Sequence, residues 1–350
     1  MAENDETAVA GPEPLAQCRY PGAADRHLHG MQPLPTRIPP VSFDAVRRYR
    51  SDRYTVTTLD GLPPGKILET AREVARSFAL REPMGRYLQP PDAPPDGLME
   101  SEHTDPLGTE PFGPWTRDNI IYWLIRQFVL TNATSPVGAI EVNREVLSHS
   151  LAMLDADGRV MGGAFSEIMP MGGLPPEFRK GDIFLDAVIG FLEPVLEFLG
   201  EQEAQALAGL ARRYTVFREA SVAGQVGHHF LVARTDALPR DHAFELVAAT
   251  AEHFQRHGCG FMGVEATNQW TGAACEALGG VPVHFAPYRA HQRVASSATP
   301  LPDQVSSPDG YLSDKDSGSM FYLINLSGLA LGGKRGYSLP REVRRRPGSG

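Results

Sequence analysis

His228 and His229 are adjacent in the run GHHFLVAR (227–234), and that adjacency limits what they can do. The run reads as a strand, in which neighbours point to opposite faces, so one histidine is expected to face the core side and the other a cleft. Histidine titrates near neutrality and can pass protons. The same alternation stops the pair from chelating one ion from one face, and no third ligand stands at a recognisable zinc spacing. Glu167 and His149 flank the turn Asp155-Ala156-Asp157-Gly158 and are expected to reach the same region. A second chemistry is offered by VEATNQWTGAACEALGG (264–280). Asn268 and Cys275, seven positions apart, lie on a helix within about 20° of one face. Cys275 has three readings: a small packed apolar side chain, a general acid, or a nucleophile aided by a histidine. The alanines at 273, 274 and 277 mark a tightly packed helix and favour the first. Trp270 reads either as a core plug or as an aromatic wall for a substrate.

These groups need elements to position them. RYTVTTL (53–59) reads as a strand, and PPGKILETAREVARSFAL (63–80) as a helix, with proline at its start and apolar residues three and four apart. TRDNIIYWLIRQFVLTNA (116–133) reads as a second helix, N-capped by Thr116. LSHSLAML and RVMGGAFSEIM flank the Asp-Gly turn as a hairpin. An amphipathic helical stretch covers 182–213, and the histidine strand follows it. DHAFELVAATAEHFQRH (241–257) forms a helix closed by Gly258, and GFMGVEAT leads as a strand into the Asn268 helix. VPVHFAPYR and SMFYLINLSGL finish as strands. Strands and helices alternate but hairpins flank them, which predicts a mixed sheet.

Composition sets the outer bounds. The chain has 350 residues, 42% hydrophobic and 21% charged, within the range of globular proteins. A net charge of −9 argues against a nucleic-acid partner, because phosphate binding needs clustered Lys and Arg. No apolar run approaches the length of a membrane span, and the acidic start MAENDETAVAGPEP has no apolar signal-peptide region. Cys18, Cys259 and Cys275 lack metal spacing and read as reduced thiols of a cytoplasmic protein. The 35 glycines and 30 prolines imply much loop. Residues 1–40 read as a loose arm and 333–350 as a basic flexible tail.

From His228 to Tyr288 the order is strand, loop with Arg240, helix ending at Gly258, strand, Asn268, small helix, Gly279, strand. This order resembles the core of the GNAT superfamily of N-acetyltransferases, with the 155–158 hairpin standing where that family has its second and third strands. ALREPMGRYL (79–88) resembles the Asp-Glu-Pro-Leu segment that follows the first helix of arylalkylamine N-acetyltransferases. The resemblance covers about 53–328 and is strongest over 227–288. It implies an α/β fold with a mixed, mostly antiparallel central sheet, a V-shaped splay between two parallel strands, and helices on both faces. One such domain would span 41–332, with insertions at 89–115 and 165–222.

The resemblance also implies roles. Glu82 matches the glutamate that amine-acetylating relatives use as general base; its other reading is a solvated carboxylate at a helix end before Pro83. Arg81 stands where the family has aspartate. Where relatives often carry a tyrosine that protonates the leaving thiolate, this chain has Cys275. The family grips acyl-CoA with a loop resembling Arg-Gly-x-Gly-x-Gly/Ala, whose amides open a helix towards the pyrophosphate. The matching stretch here is Arg240-Asp241-His242-Ala243-Phe244-Glu245. Arg240 fits, but Asp241 and Ala243 replace glycines, and Glu245 stands where a small residue is usual. Two carboxylates disfavour a diphosphate, and Asp241 also reads as an N-cap. Pantetheine can still lie along Leu231, Val232 and Ala233, held by backbone hydrogen bonds. The expected catalytic set is Glu82, His228 and Cys275. Leu231, Val232, Ala233, Arg240, His242, Ala243 and Asn268 are expected at the cosubstrate, and His229, Glu167 and Trp270 at the substrate.

The expectation is an acyltransferase that moves an acyl group from acyl-CoA, or from an acyl carrier protein, to the amine of a small molecule. It would use no metal, touch neither nucleic acid nor membrane, and act as a monomer or homodimer. Two rivals stand beside it: the same fold repurposed for a CoA-independent lyase, hydrolase or cyclisation reaction, and a non-catalytic binding module.

Overall fold

The structure, a computed structural model, describes residues 34–82, 114–130, 144–169, 183–239, 242–287 and 318–328. Chain order begins with α1 (Phe43–Arg48), β1 (Thr55–Thr58), α2 (Pro64–Arg81), α3 (Arg117–Leu130), α4 (Arg144–His149), β2 (Leu151–Leu154) and β3 (Val160–Ile168). It continues with α5 (Ile183–Arg213), α6 (Thr215–Val222), β4 (Val226–Arg234), α7 (Ala243–Arg256), β5 (Phe261–Ala266), α8 (Gln269–Ala277), β6 (Val281–Pro287) and β7 (Gly318–Asn325).

The strands form one sheet in the order β1-β2-β3-β4-β5-β7-β6. Every neighbouring pair is antiparallel except β4 with β5. That parallel pair is short. It runs from Val226↔Phe261 to His229↔Val264 and stops, although β4 continues to Arg234 and β5 to Ala266. On the β3 side the register steps from Phe165↔Leu231 to Ser166↔His229, so Phe230 is an extra residue in β4. A bulge bends its strand and increases the local twist, and here it sits where β4 leaves β5. This is the expected V-shaped splay in a mixed, mostly antiparallel sheet: the chain has the GNAT fold.

Helices cover both faces. On one, Ile67, Ala71, Val74 and Ala75 of α2 pack with Ile121, Leu124 and Ile125 of α3, Leu192, Val195 and Phe198 of α5, and Phe165. Proline at its first position starts α2. Gly163 lets α2 come close, since a Cβ there would lie 2.6 Å from Thr70 Cγ2. On the other face α1, α7 and α8 bury Val46, Phe244, Val247, Phe254, Ala274 and Cys275 against Met262, Val264, Tyr322 and Ile324. Helix α7 ends at Gly258, whose φ of 83° allows the chain to turn back into β5.

Three expectations are corrected. Residues 147–149, read as the start of a strand, are the last turn of α4, which turns His149 away from the hairpin. Residues 34–40, read as part of a loose arm, are fixed: Ile38 is fully buried, Pro40 bridges Asn325, and Tyr214 donates a hydrogen bond to the Pro35 carbonyl. The insertion read as beginning at 165 starts later, because β3 continues to Ile168. The insertion at 89–115 lies almost wholly outside the described residues. Among those residues no helix is long and apolar enough to cross a membrane.

Candidate active site at the splayed strands

The C-terminal end of α2 spans the opening of the V. Arg81 Nη1 donates to the Arg234 carbonyl at the end of β4, at 2.8 Å, and its other nitrogen pairs with Asp236. The next residue, Glu82, turns to the end of β5. Its Oε2 accepts from Thr267 Oγ1 at 2.6 Å, and its Oε1 from Asn268 Nδ2 at 2.5 Å. The Asn268 amide is orientated independently of Glu82. As the N-cap of α8 its Oδ1 accepts from the backbone N–H of Trp270 and Thr271, both at 2.9 Å, so its NH2 must face the other way. Burial raises the Glu82 pKa, and the two hydrogen bonds partly oppose it. Glu82 is thus a held carboxylate at the cleft, not a solvated helix end.

At the closed end of the V, on the face covered by α2 and α5, a second cluster forms. His228 Nδ1 lies 3.7 Å from Glu167 Oε1 and 3.8 Å from Glu203 Oε1, and its Nε2 lies 3.8 Å from Glu265 Oε2. Glu167 is the cross-strand partner of His228, Glu265 comes from β5, and Glu203 from α5. Burial alone would lower the His228 pKa. The Glu203 charge and then the nearby Glu167 and Glu265 carboxyl groups outweigh it and hold it well above the usual value, so the imidazole carries its proton. Burial, reinforced by Glu265 and Glu167, raises the Glu203 pKa against the pull of His228. Three carboxyl groups thus surround one imidazole.

The two clusters share a wall. Glu265, near the end of β5, belongs to one, and Thr267, two residues further on, holds Glu82 in the other.

His229 points to the opposite face, as its neighbour's placement requires, and its Nδ1 meets Ser166 Oγ at 3.0 Å. Burial, and the adjacent His228 charge, push its pKa down to about 3, so it stays neutral. It is therefore away from the carboxylate cluster. Cys275 is fully buried in the apolar α7–α8 core, and its thiol pKa is pushed up by burial and then by Glu276. This placement favours the packed reading over the catalytic ones. Trp270 is 45% exposed, so it is no core plug. It stands at the start of α8, beside Asn268. Leu231, Val232 and Ala233 lie half-buried in the part of β4 that has left β5, with its edge towards β5 unpaired by that strand.

The start of α7 departs most from the family's phosphate loop. Arg240 and Asp241 lie outside the described residues, as does the side chain of Ala243. His242 is the N-cap and meets the Tyr54 ring edge-on at 5.0 Å. Glu245 is fully buried in the first turn. Its Oε1 accepts from Ser51 N at 3.0 Å and lies 3.6 Å from Arg50 Nε, while its Oε2 lies 3.5 Å from His242 Nδ1. Tyr49 stacks on Phe244 at 5.8 Å. The chain thus places its own carboxyl group at the positive end of this helix, with Tyr49, Arg50, Ser51 and Tyr54 packed around it.

Sequence reasoning missed Glu203, Glu265 and the Thr267 contact. One sign was available: Glu265 is the only charge in the apolar run GFMGVEAT, and a charge in a buried strand needs partners.

Neither a protein-family model nor a curated protein matches the sequence. Solved structures do resemble it. Arylalkylamine N-acetyltransferase 2 from Aedes aegypti is 14% identical, with 78% of this chain and 99% of that one covered and a TM-score of 0.44. The C-terminal condensation domain of Ebony, solved with beta-alanyl-dopamine, is 10% identical over 78% and 99%, with a TM-score of 0.46. The Drosophila melanogaster polyamine N-acetyltransferase is 12% identical over 78% and 100%, with a TM-score of 0.35. The fold assignment rests on the strand order, the single parallel pair and its splay.

Proposed function

We propose that the protein is an acyltransferase that moves an acyl group from a pantetheine thioester to the amine of a small cationic molecule. The observation that supports this reading is the splay, with Glu82 held at its mouth and the Glu167–Glu203–His228–Glu265 cluster on the same wall. The cluster's carboxyl groups draw in and position the ammonium form of the acceptor. Glu82, with its raised pKa, takes the ammonium proton. The freed nitrogen lone pair attacks the thioester carbonyl; the C–N bond forms, the C–S bond breaks, and the thiolate leaves and takes a proton from solvent. The unpaired edge of β4 at Leu231–Ala233 offers backbone groups to the pantetheine amides, and Trp270 offers an aromatic wall to the acceptor. Cys275 takes no part.

The donor is read from Glu245. With a carboxylate already buried at the start of α7, a diphosphate gains little there, so recognition of the donor falls to its pantetheine arm. That favours acyl-pantetheine and carrier-protein thioesters as donors alongside acyl-CoA.

The test is thiol release from acetyl-CoA and from acetyl-pantetheine, each with a panel of primary amines that includes arylalkylamines, agmatine and diamines. Amine-dependent release with similar KM for both thioesters is the expected result. A strong preference for acetyl-CoA overturns the reading of the donor. Absence of amine-dependent release with every pairing, from folded protein, overturns the acyltransferase reading.

A further inference from the structure

Three imidazoles come together on the other face of the sheet, at the far end of α7 from the cleft mouth. His253 and His257 are four residues apart on α7, hence on one face of it, and their rings lie 4.1 Å apart. His149, from the end of α4, completes the group: its Nδ1 faces His253 Nε2 at 3.2 Å, and its ring centre is 5.2 Å from that of His257. One ligand nitrogen from each residue falls within 4.8 Å of the other two.

We propose that His149, His253 and His257 form a binding site for a divalent transition metal of the zinc class. Tetrahedral zinc with nitrogens at about 2.0–2.1 Å sets them about 3.3 Å apart. The His149–His253 pair already has that separation, and the His257 ligand atom lies within 4.8 Å of both.

The outer contacts are those that orient metal-binding imidazoles. His257 Nδ1 lies 2.8 Å from the His253 carbonyl, to which it donates, leaving Nε2 for a ligand bond. The His253 ring hydrogen-bonds to the backbone of Ser148, and its Nε2 faces His149. Three imidazoles and no cysteine suit zinc, nickel, cobalt or copper better than magnesium or calcium. The exposure of His257 leaves the fourth position to water or an exogenous ligand. The site would tie α4, and with it the start of β2, to α7 across 104 residues of sequence. It lies apart from the carboxylate cluster, so it serves as a clip rather than as part of acyl transfer.

The experiment uses the full chain, freed of any affinity tag and stripped with a chelator, and titrates Zn²⁺ against it with a competing indicator. Melting temperature is read in parallel, and Co²⁺ serves as the spectroscopic probe. Expected are one ion per chain, a higher melting temperature with metal, and the visible bands of four-coordinate Co²⁺. His257→Ala, at an exposed position, should weaken binding by roughly a hundredfold. His228→Gln should leave Zn²⁺ affinity unchanged. Failure to saturate at about millimolar Zn²⁺ overturns the proposal. Equal affinity in His257→Ala does so too, and loss of binding in His228→Gln would move the ion to the carboxylate cluster and equally overturn it.

Discussion

Glu82→Gln separates the chemistry of the carboxylate from its structural role, because the contacts fix how the new amide must sit. Asn268 cannot turn its oxygen towards residue 82, since that oxygen caps α8 through Trp270 N and Thr271 N. Its Nδ2 therefore selects the glutamine oxygen, and the glutamine NH2 falls on Thr267 Oγ1, which can accept as well as donate. Both hydrogen bonds survive. Each declines from a charged bond, worth about 1.5–3 kcal/mol, to a neutral one of about 0.5–1.5 kcal/mol. The variant is also spared the burial of a charge, which is what raises the Glu82 pKa. The two changes oppose each other, so the expected change in unfolding free energy is within about 1 kcal/mol. Turnover is a different matter: loss of a general base costs about 10²- to 10⁴-fold in kcat. Denaturant unfolding and steady-state kinetics with an acceptor from the amine panel read the two quantities.

A companion change tests the same carboxylate by pH. Asn268→Asp keeps a good N-cap but puts a second carboxylate where Nδ2 now meets Glu82. Like charges in contact raise the pKa of one of them by about a unit or more. The acid limb of kcat/KM should then move to higher pH by that amount, while the melting temperature near neutrality falls. A folded Glu82→Gln enzyme with kcat within about threefold of the wild type would refute the assignment of Glu82 as the base, whatever the Asn268→Asp profile shows.

Three further outcomes follow from the packing and the charges. Cys275→Ala should cost about 1 kcal/mol in denaturant unfolding and leave turnover unchanged, and the folded thiol should resist alkylation; a hundredfold fall in kcat would return Cys275 to the site. Gly227→Ala places a Cβ 2.5 Å from the buried Phe254 ring, an overlap expected to cost about 1–3 kcal/mol. Combining it with Phe254→Leu should recover part of that loss, and strict additivity of the two would deny the contact. The folded-state pKa of His228 lies well above its unfolded value near 6.5. Its stabilisation is therefore complete below pH 6.5 and is lost as pH rises through the folded value. NMR titration should show an imidazolium persisting above pH 7, and a ring that titrates near 6.5 would dissolve the Glu167–Glu203–Glu265 cage.

The parts of this fold that could be read from sequence are those fixed within a few residues. Pro64 starts a helix, Asp155–Gly158 turns a hairpin, and Gly258 and Gly279 take positive φ to leave α7 and α8. The element order these imply carries the GNAT resemblance, and β4 and β5 do diverge. The divergence itself had no local mark: Phe230 is an ordinary strand residue, and its extra place shows only once β3 is laid beside it. The site divides in the same way. Glu82 and Asn268 were visible one at a time, but their bond joins residues 186 apart, and nothing near either announces the other. Glu203 belongs to the cluster only because α5 packs on the sheet and brings its carboxyl group within 3.8 Å of His228. The histidines show the cost of judging a pattern by nearest neighbours alone. His228 and His229 were set aside as metal ligands because adjacent strand residues diverge, and they do. The helical pair His253 and His257 stands in the same sequence at the spacing that converges, while its third member, His149, reads from sequence as part of the hairpin. Leu147–His149 was read as strand, where alternation would aim His149 at the hairpin; as the last turn of α4, it aims that ring at α7 instead. A difference of secondary structure over three residues thus decides which of two histidine groups His149 joins, and with it whether the chain offers a metal three nitrogens or two.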